Sequence, residues 1–401
     1  MNSVKKFAKK IRNFFYGAYQ TVVFILLLPL ILFILVPLCW LDKLFRKFSG
    51  KKPRILWAPN PIMNIIYNSK ADKLFGYESN TLVYSTFVIT GKNVFDYNLE
   101  KVFKNQLFYP FLPHLWVFLW AVFKYDIFQF FYNNGLLFRE GLAYWLELPI
   151  LRLLGKKIIA CSYGSDVRTE DIARSLGKYN FYSNYSHEEV VDELGPDSNI
   201  RKRVKHVLKY ANVALSAYDM IEYTPGSRND IFYWAIDTKE WQPIYKTNNE
   251  KVTILHAPNH PKYKGTRFLL EVIERIKKEG YPIELVLVQN LPNKQIKELY
   301  KKADIIAEQF IGGAHGFNAI EAMALGKPVM SYLRKKEYFP NWAECPIVNT
   351  NPDNLYDNLL MLIKDKKLRE ELGRKGRKYV EEVYSLEKVG ERFDKIYKNI
   401  W

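Results

Sequence analysis

Residues 303–332 read ADIIAEQFIGGAHGFNAIEAMALGKPVMSY. Asp304–Phe310 is an apolar run of strand length, and Ile311–Gly316 is a loop that carries three glycines. Phe317–Leu325 has apolar residues at helical spacing, and Pro328–Tyr332 is a second strand. Strand, loop, helix and strand in that order make a βαβ unit with parallel strands. Ligands of such sheets bind beyond the carboxyl ends of the strands, where loops enter helices. The Ile311–Gly316 loop is therefore the first place to look for chemistry.

The same alternation extends outward. Val252–Ala257 and Ile283–Gln289 read as strands, with helices at Thr266–Glu279 and Lys294–Lys302; helices at Pro352–Lys364, Lys367–Val383 and Leu386–Ile400 close the chain. Upstream, strands are expected at Arg54–Ala58, Thr81–Phe87, Ile127–Tyr132, Lys157–Cys161 and Val213–Ala217. Helices occupy the gaps, among them one from Met63, Ala143–Leu154 (kinked by Pro149) and Asn199–Tyr210. Leu115–Phe123 reads as a helix buried in the core rather than resting on lipid. The expectation is an α/β protein with domains at residues 53–240 and 241–385 and a last helix, 386–401, placed to return to the first. The polar stretch Thr238–Glu250 is the expected linker.

Of the 401 residues, 59 are Lys or Arg and 42 Asp or Glu, a net charge of +17. With 48% hydrophobic and 25% charged residues, the chain is too apolar for disorder and too charged for a multi-spanning channel. The charge is unevenly placed: residues 1–54 hold eleven basic residues against Asp42 alone. They flank Thr21–Leu41, an uncharged run of 21 residues, about the length that spans a bilayer as a helix. The positive charge thus points to membrane lipids, met by Lys5–Phe15 and this run, and not to nucleic acid. No small-x-small site ends the run, which argues against a cleaved signal peptide. Basic flanks on both sides, with Pro29 and Pro37 inside, fit a spanning anchor or a re-entrant one; the spanning form with a cytoplasmic body is preferred. Cys39, Cys161 and Cys345 are too scattered for a disulfide framework or a Cys-based zinc site.

Three loops suit a diphosphate ligand. In 256–266, Lys264 precedes Gly265 at a helix start, which places a cation and close backbone access together, or else leaves a solvated loop lysine. In 311–329, Gly312, Gly313 and Gly316 let main-chain amides approach an anion. Glu321, one turn into the following helix, would repel phosphate, so its use is to accept sugar hydroxyls such as a ribose diol; the alternative is an exposed helix residue. His315 either donates to phosphate or sugar or merely satisfies the loop. Gln289–Asn293 follows a strand and would line a base pocket.

From Thr253 to Tyr332 the chain resembles the nucleotide-binding half of the retaining GT-B glycosyltransferases of the group 1 (family 4) type. The matching pieces are His256-Ala-Pro with Lys264-Gly265-Thr266, Ala303-Asp304-Ile305, Gly316 to Ala324, and Gly326-Lys327-Pro328-Val329. Fainter likeness covers Tyr163–Arg168, similar to an acceptor-side loop, and Ile236-Asp237, similar to the crossing between domains. The resemblance implies two Rossmann-like domains facing a cleft (GT-B), a nucleotide-sugar donor and retention of anomeric configuration. It implies that Lys264 stabilises the leaving diphosphate, that Gly316 offers it an amide and that Glu321 holds the ribose. Asn259, His260, Gly265, Gly313, Phe317, Asn318 and Glu308 become further donor-side positions, with Gly164, Ser165 and Arg168 on the acceptor side and Asp166 and His315 as catalytic candidates. Asp166 and Arg168 either contact substrate or form a mutual ion pair.

Two departures stand out. The first Glu of the family's E-x7-E motif falls on Gly313, and no Arg partner for the lysine occurs at Asn259-His260; Glu308 or His315 stands as substitute. No carboxylate pair suggests double displacement, so a front-face reaction is expected. No acidic cluster in these loops calls for a metal, and no cofactor is expected beyond the donor. The expected partners are a nucleotide sugar, a lipid-linked or envelope glycan acceptor, and membrane lipids. A GT-B sugar epimerase and a degenerate membrane scaffold are the rivals. GxGxxG and GxxxxGK[ST] are both absent, which disfavours dinucleotide and P-loop enzymes. The sequon Asn184-Tyr185-Ser186 is silent on a cytoplasmic body.

Overall fold

The computed structural model describes residues 15, 18–87, 90–91, 94–104, 111–133, 135–137, 142–245, 250–289 and 291–401; Lys5–Phe14 and part of the linker lie outside them. Two parallel sheets organise these residues. The first runs β3-β2-β1-β4-β5-β6, from β1 (Ile55–Trp57), β2 (Ser79–Val83), β3 (Tyr97–Asn98), β4 (Ile127–Phe131), β5 (Lys157–Cys161) and β6 (Val213–Leu215). The second runs β11-β10-β9-β7-β8, from β7 (Val252–His256), β8 (Ile283–Leu287), β9 (Ile305–Gln309), β10 (Val329–Ser331) and β11 (Val348–Asn349). Among the described residues every strand pairing is parallel, with Ile127 opposite Lys157 in the first sheet and Ile254 opposite Ile305 in the second. Helices cover both faces, so β4 (Ile-Phe-Gln-Phe-Phe) is buried at every position. This is the expected two-domain GT-B architecture.

The strand boundaries differ in instructive places. β2 ends at Val83, not Phe87, and β6 at Leu215, not Ala217. The two-residue edge strands β3 and β11 were not expected, because two residues carry no periodicity. Pro149 sits inside the helix Leu142–Leu153 without ending it.

The N-terminal apolar run lies in α1 (Ala18–Phe48), 31 residues long and able by length and composition to cross a membrane. It runs as one continuous helix and does not turn back. Pro29 and Pro37 each withhold an N–H; the helix accommodates this with a π-turn at Ile31–Leu35, where Val36 N–H reaches Ile31 O. Only 22% of its most apolar window is buried, unlike a core helix. The buried residues Phe24, Ile31, Leu35 and Cys39 form one stripe, while Leu26, Phe33 and Leu41 on other faces are exposed.

The C-terminal end of α1 is fixed to the first sheet. Trp40 Nε1 donates to Leu153 O (3.0 Å) and Lys43 Nζ to Gly155 O (2.8 Å). Asp126, its side chain 1% exposed, gathers Arg54 (2.9 Å), Arg46 (3.3 Å) and Lys156 (3.8 Å). Arg54, Asp126 and Lys156 immediately precede β1, β4 and β5, so α1 is rooted at the amino ends of these strands, away from the ends where ligands bind.

In the first lobe, α2 (Met63–Leu74) follows β1 and α3 (Phe111–Lys124) precedes β4. α3 is not wholly core as expected: Phe118, Ala121 and Val122 are buried, whereas Trp116 (67%) and Leu112 (50%) are exposed. Apolarity all round the helix hid which face the sheet would take.

The linker is held rather than loose. Trp241 is buried and its indole donates to Tyr67 OH (3.0 Å); Ile244 N donates to Leu325 O (2.8 Å). The last helix, Leu386–Ile400, lies on α2, with Tyr397 OH donating to Asp72 (2.8 Å) and Tyr77 OH to Asp394 (2.8 Å).

Candidate active site

Lys264 and Gly316, the residues expected to receive an anion, meet near the ends of β9 and β10. Helix α4 (Thr266–Lys278) follows β7, and α5 (Phe317–Ala324) follows β9. His256, at the end of β7, ties these elements together: Nδ1–H donates to Ala307 O (2.7 Å) and Nε2 accepts from the Thr266 hydroxyl (2.8 Å). Burial pulls His256 down to about 4, so it is a neutral clamp at pH 7. The chain then makes a turn over Pro261–Lys264, goes left-handed at Gly265 (φ 71°) and enters α4.

Lys264 and Gly316 do converge, but on a carboxylate of the protein itself. Glu308, the penultimate residue of β9, pairs with the Lys264 ammonium, accepts the Gly316 main-chain N–H (3.2 Å) and accepts the Ser331 hydroxyl (2.9 Å). A Cβ on Gly316 would lie 2.8 Å from Glu308 Oε1 and 3.2 Å from Lys264 Nζ, so glycine is what admits both charges to the start of α5. Burial pushes the Glu308 carboxyl up, yet the Lys264 ammonium and Ser331 hydroxyl together hold it below its ordinary value. The ammonium and amide expected to face an open hollow are thus already engaged. Sequence reasoning had Glu308 as a donor-side position but not as the partner of Lys264, and it missed Ser331 altogether. Pairs 44 residues apart leave no mark on local spacing.

Glu321 lies on the buried side of α5, 2% exposed, and accepts the Asn293 side-chain amide (2.6 Å). It is not an exposed helix residue. Burial pushes its carboxyl up to about 7. The two acids of the site thus differ in state, one held ionised by a cation and the other half-titrated near neutrality. Asn318 Nδ2 donates to Ala257 O (3.2 Å), and Phe317 stacks on Tyr67 of the first lobe (6.0 Å between centroids). Asn259 and His260 are exposed at the rim, His260 edge-on to Tyr263.

His315 is buried between the lobes. Nδ1–H donates to Gly316 O (3.1 Å), Nε2 faces Tyr384 OH (3.4 Å), and the ring stacks on Phe339. Burial lowers it to about 4. At pH 7 it is neutral and supplies no charge to a phosphate.

Gly313 adopts φ 85°, and a Cβ there would meet the Arg334 guanidinium at 2.5 Å. Where the family's first Glu was expected, this chain presents a cation from the loop after β10. Gln309 holds the same loop, accepting Gly312 N–H (2.8 Å) and donating to Ala314 O. Arg334 was not read from the sequence, because its nearest neighbours in the chain suggest only a solvated basic turn.

On the opposite wall, Asp166 is fully buried and accepts main-chain N–H groups of Gly164 (2.8 Å), Tyr163 (3.0 Å) and Tyr132 (3.2 Å). Burial raises it to about 6. It therefore shapes the Tyr163–Arg168 loop. Arg168 does not pair with Asp166: it forms a bidentate pair with Asp219 (2.7 and 2.8 Å) and stacks over Phe181 (3.7 Å). The Asp166–Arg168 ion pair entertained above is thus replaced by one the sequence did not signal. Gly164 lies against the Arg168 guanidinium, and Ser165 is exposed. A groove of about 580 Å³ runs between Ser183–Tyr185 and the turn at Pro261–Lys262, outside the Lys264–Glu308 cluster. Among the described residues, no three His, Cys, Asp or Glu side chains are grouped to hold a metal ion.

Residues 286–379 match the family model described as glycosyl transferases group 1. The second lobe carries the group 1 glycosyl transferase signature. Both lobes together are similar to solved two-lobed structures. Sucrose-phosphate synthase from Thermosynechococcus elongatus aligns over 87% of this chain and 99% of its own, at 13% identity and a TM-score of 0.59. HepE from Anabaena, solved in complex with UDP and glucose, aligns over 86% of this chain and 100% of its own, at 11% identity and a TM-score of 0.53. At these identities the likeness carries the GT-B fold alone. No curated protein sequence matches the chain.

Proposed function

We propose that this chain is a membrane-anchored, retaining glycosyltransferase that moves a sugar from a nucleotide-diphosphate donor to a lipid-linked or envelope glycan acceptor at the cytoplasmic face. The observation that carries the reading is the convergence of Lys264 on the Gly316 amide at the start of α5, a helix that lies inside the stretch matching the group 1 model. HepE was solved with UDP and glucose, which supports a nucleotide-sugar donor. The diphosphate takes the Gly316 amide from Glu308 and shares the Lys264 ammonium with it, while Glu321 accepts the ribose hydroxyls. Protein groups carry the developing charge, with no resident metal. Glu308 and Asp166 are each held by three donors, so neither is disposed to attack an anomeric carbon. This favours a front-face reaction in which the leaving phosphate oxygen takes the acceptor's proton.

The test is a panel of nucleotide sugars offered to the full-length protein with membrane lipid extract, read by product mass. Glycosylated lipid that keeps the donor's anomeric configuration supports the reading; no transfer from any donor sinks it. Conversion of the nucleotide sugar without acceptor would instead identify an epimerase, and failure of every nucleoside diphosphate to shift the melting curve would identify a scaffold. The protein is also expected to stay in the membrane pellet after alkaline carbonate washing.

The raised Glu321 carboxyl predicts a pH dependence. Ribose hydroxyls bond more strongly to an ionised acceptor than to a protonated one, so nucleoside diphosphate affinity should climb from pH 6 to pH 8 as Glu321 loses its proton through about 7. Glu321→Gln should bind more weakly at pH 8 and differ little from wild type at pH 6. Calorimetric titration at both pH values checks this; parallel profiles would remove Glu321 from the ribose.

A further inference from the structure

Arg334 follows β10 and bridges the two lobes. Its Nη2 donates to Tyr179 O of the first lobe (2.9 Å) and to Gly312 O (3.3 Å), and its main-chain N–H donates to Gly313 O (2.9 Å). The guanidinium covers Gly313, with Cζ, Nη1 and Nη2 at 2.5, 2.7 and 2.8 Å from where a Cβ would stand. Nε and Nη1 are buried, and neither has a hydrogen-bond partner among the described residues.

The acids on this wall are committed elsewhere. Asp219 holds Arg168, Glu222 holds Lys335 and Tyr338, and Asp353 holds Lys178 and Tyr179. A half-buried cation with two buried donors that lack partners among the described residues is costly, and the cost is relieved when a ligand brings an acceptor. An anionic oxygen relieves it best, and a carboxylate suits a guanidinium in shape as well as charge.

The position tells which part of the ligand arrives there. A nucleotide sugar runs from ribose through diphosphate to sugar. On the transferase reading above, on which this inference rests, Glu321 takes the ribose and Gly316 the diphosphate. Gly313 comes next along the same loop, so the sugar lies beside it and beneath Arg334. We propose that Arg334, given room by Gly313, selects a donor whose sugar carries a carboxylate, a hexuronate rather than a neutral hexose.

The experiment titrates full-length protein in detergent with UDP, UDP-glucose and UDP-glucuronate, and with GDP, GDP-mannose and GDP-mannuronate. In the base series that binds, the uronate should bind about tenfold or more tightly than the hexose, the scale of a hydrogen bond to a charged group. Arg334→Gln should erase that preference, and Arg334→Lys should restore part of it, with the bare nucleoside diphosphate as the reference for a folded variant. A wild-type protein that binds hexose as well as uronate overturns the proposal without needing any variant. So does a preference that survives Arg334→Gln. Binding of the nucleoside diphosphate without acid preference sinks this inference alone; failure of these two and of every other nucleoside diphosphate to bind sinks the transferase reading and this with it.

Discussion

Lys264→Ala should lower sugar transfer by about two to three orders of magnitude, the usual cost of deleting one group that receives developing negative charge. It should also destabilise the fold, because it strands the Glu308 carboxylate, whose side chain is 1% exposed. Breaking a buried pair from one side costs about 3–5 kcal/mol. The double variant Lys264→Ala/Glu308→Gln removes the stranded charge and keeps a polar group for the Gly316 amide and Ser331 hydroxyl. It should melt well above the single variant and be equally inactive. Turnover and thermal unfolding measured on all three proteins separate the two effects. Unchanged turnover in Lys264→Ala would take the lysine out of the site, and a double variant no more stable than the single would mean that Glu308 is not stranded.

The second large effect concerns the last helix. Removing Leu386–Trp401 takes away Val389, Phe393 and Tyr397, all fully buried, and Leu386 and Ile396, nearly so. At about 1.5–3 kcal/mol for each buried side chain, the loss rivals the whole stability of a typical domain, about 5–15 kcal/mol. The truncated chain should fail to fold, seen as aggregation on expression and loss of amide protection in α2 and β1. Tyr397→Phe is the graded version. Its hydroxyl donates to Asp72 (2.8 Å) and accepts from Gln129 (2.7 Å), so about 1–3 kcal/mol is at stake.

The sign with pH is fixed by Asp72, which burial raises to about 7. A raised carboxyl favours the fold fully below its unfolded value, and that contribution is lost as pH climbs through about 7. Tyr397→Phe should therefore cost more at pH 8, where the hydroxyl serves a carboxylate, than at pH 5. Equal costs at both would detach Asp72 from Tyr397. A truncated protein with wild-type melting would show that the helix is dispensable.

The 303–332 stretch was legible because its information is local. Apolar strand runs, a glycine loop and a helical stripe are statements about near neighbours in the chain, and β9, α5 and β10 appear within a residue or two of where they were read. The long apolar helix was legible for the same reason. Edge strands of two residues were not, and neither was the buried face of α3, whose residues are apolar all round. The hold on the linker was not legible because one tryptophan among polar residues makes no pattern, yet Trp241 bonds to Tyr67 and Ile244 to Leu325.

The amino-acid order on its own thus determined two parallel α/β lobes, an apolar N-terminal helix, and loops that carry Lys264 and Gly316 into the starts of helices, with Glu321 one turn further on. Tertiary structure decided which charges meet: Glu308 with Lys264, Arg168 with Asp219 instead of Asp166, and Arg334 over Gly313 with two donors unpaired among the described residues. The reason is physical. Backbone conformation follows from residues a few positions apart, whereas the partner and the charge state of a buried side chain depend on whatever distant segment the closed fold brings against it.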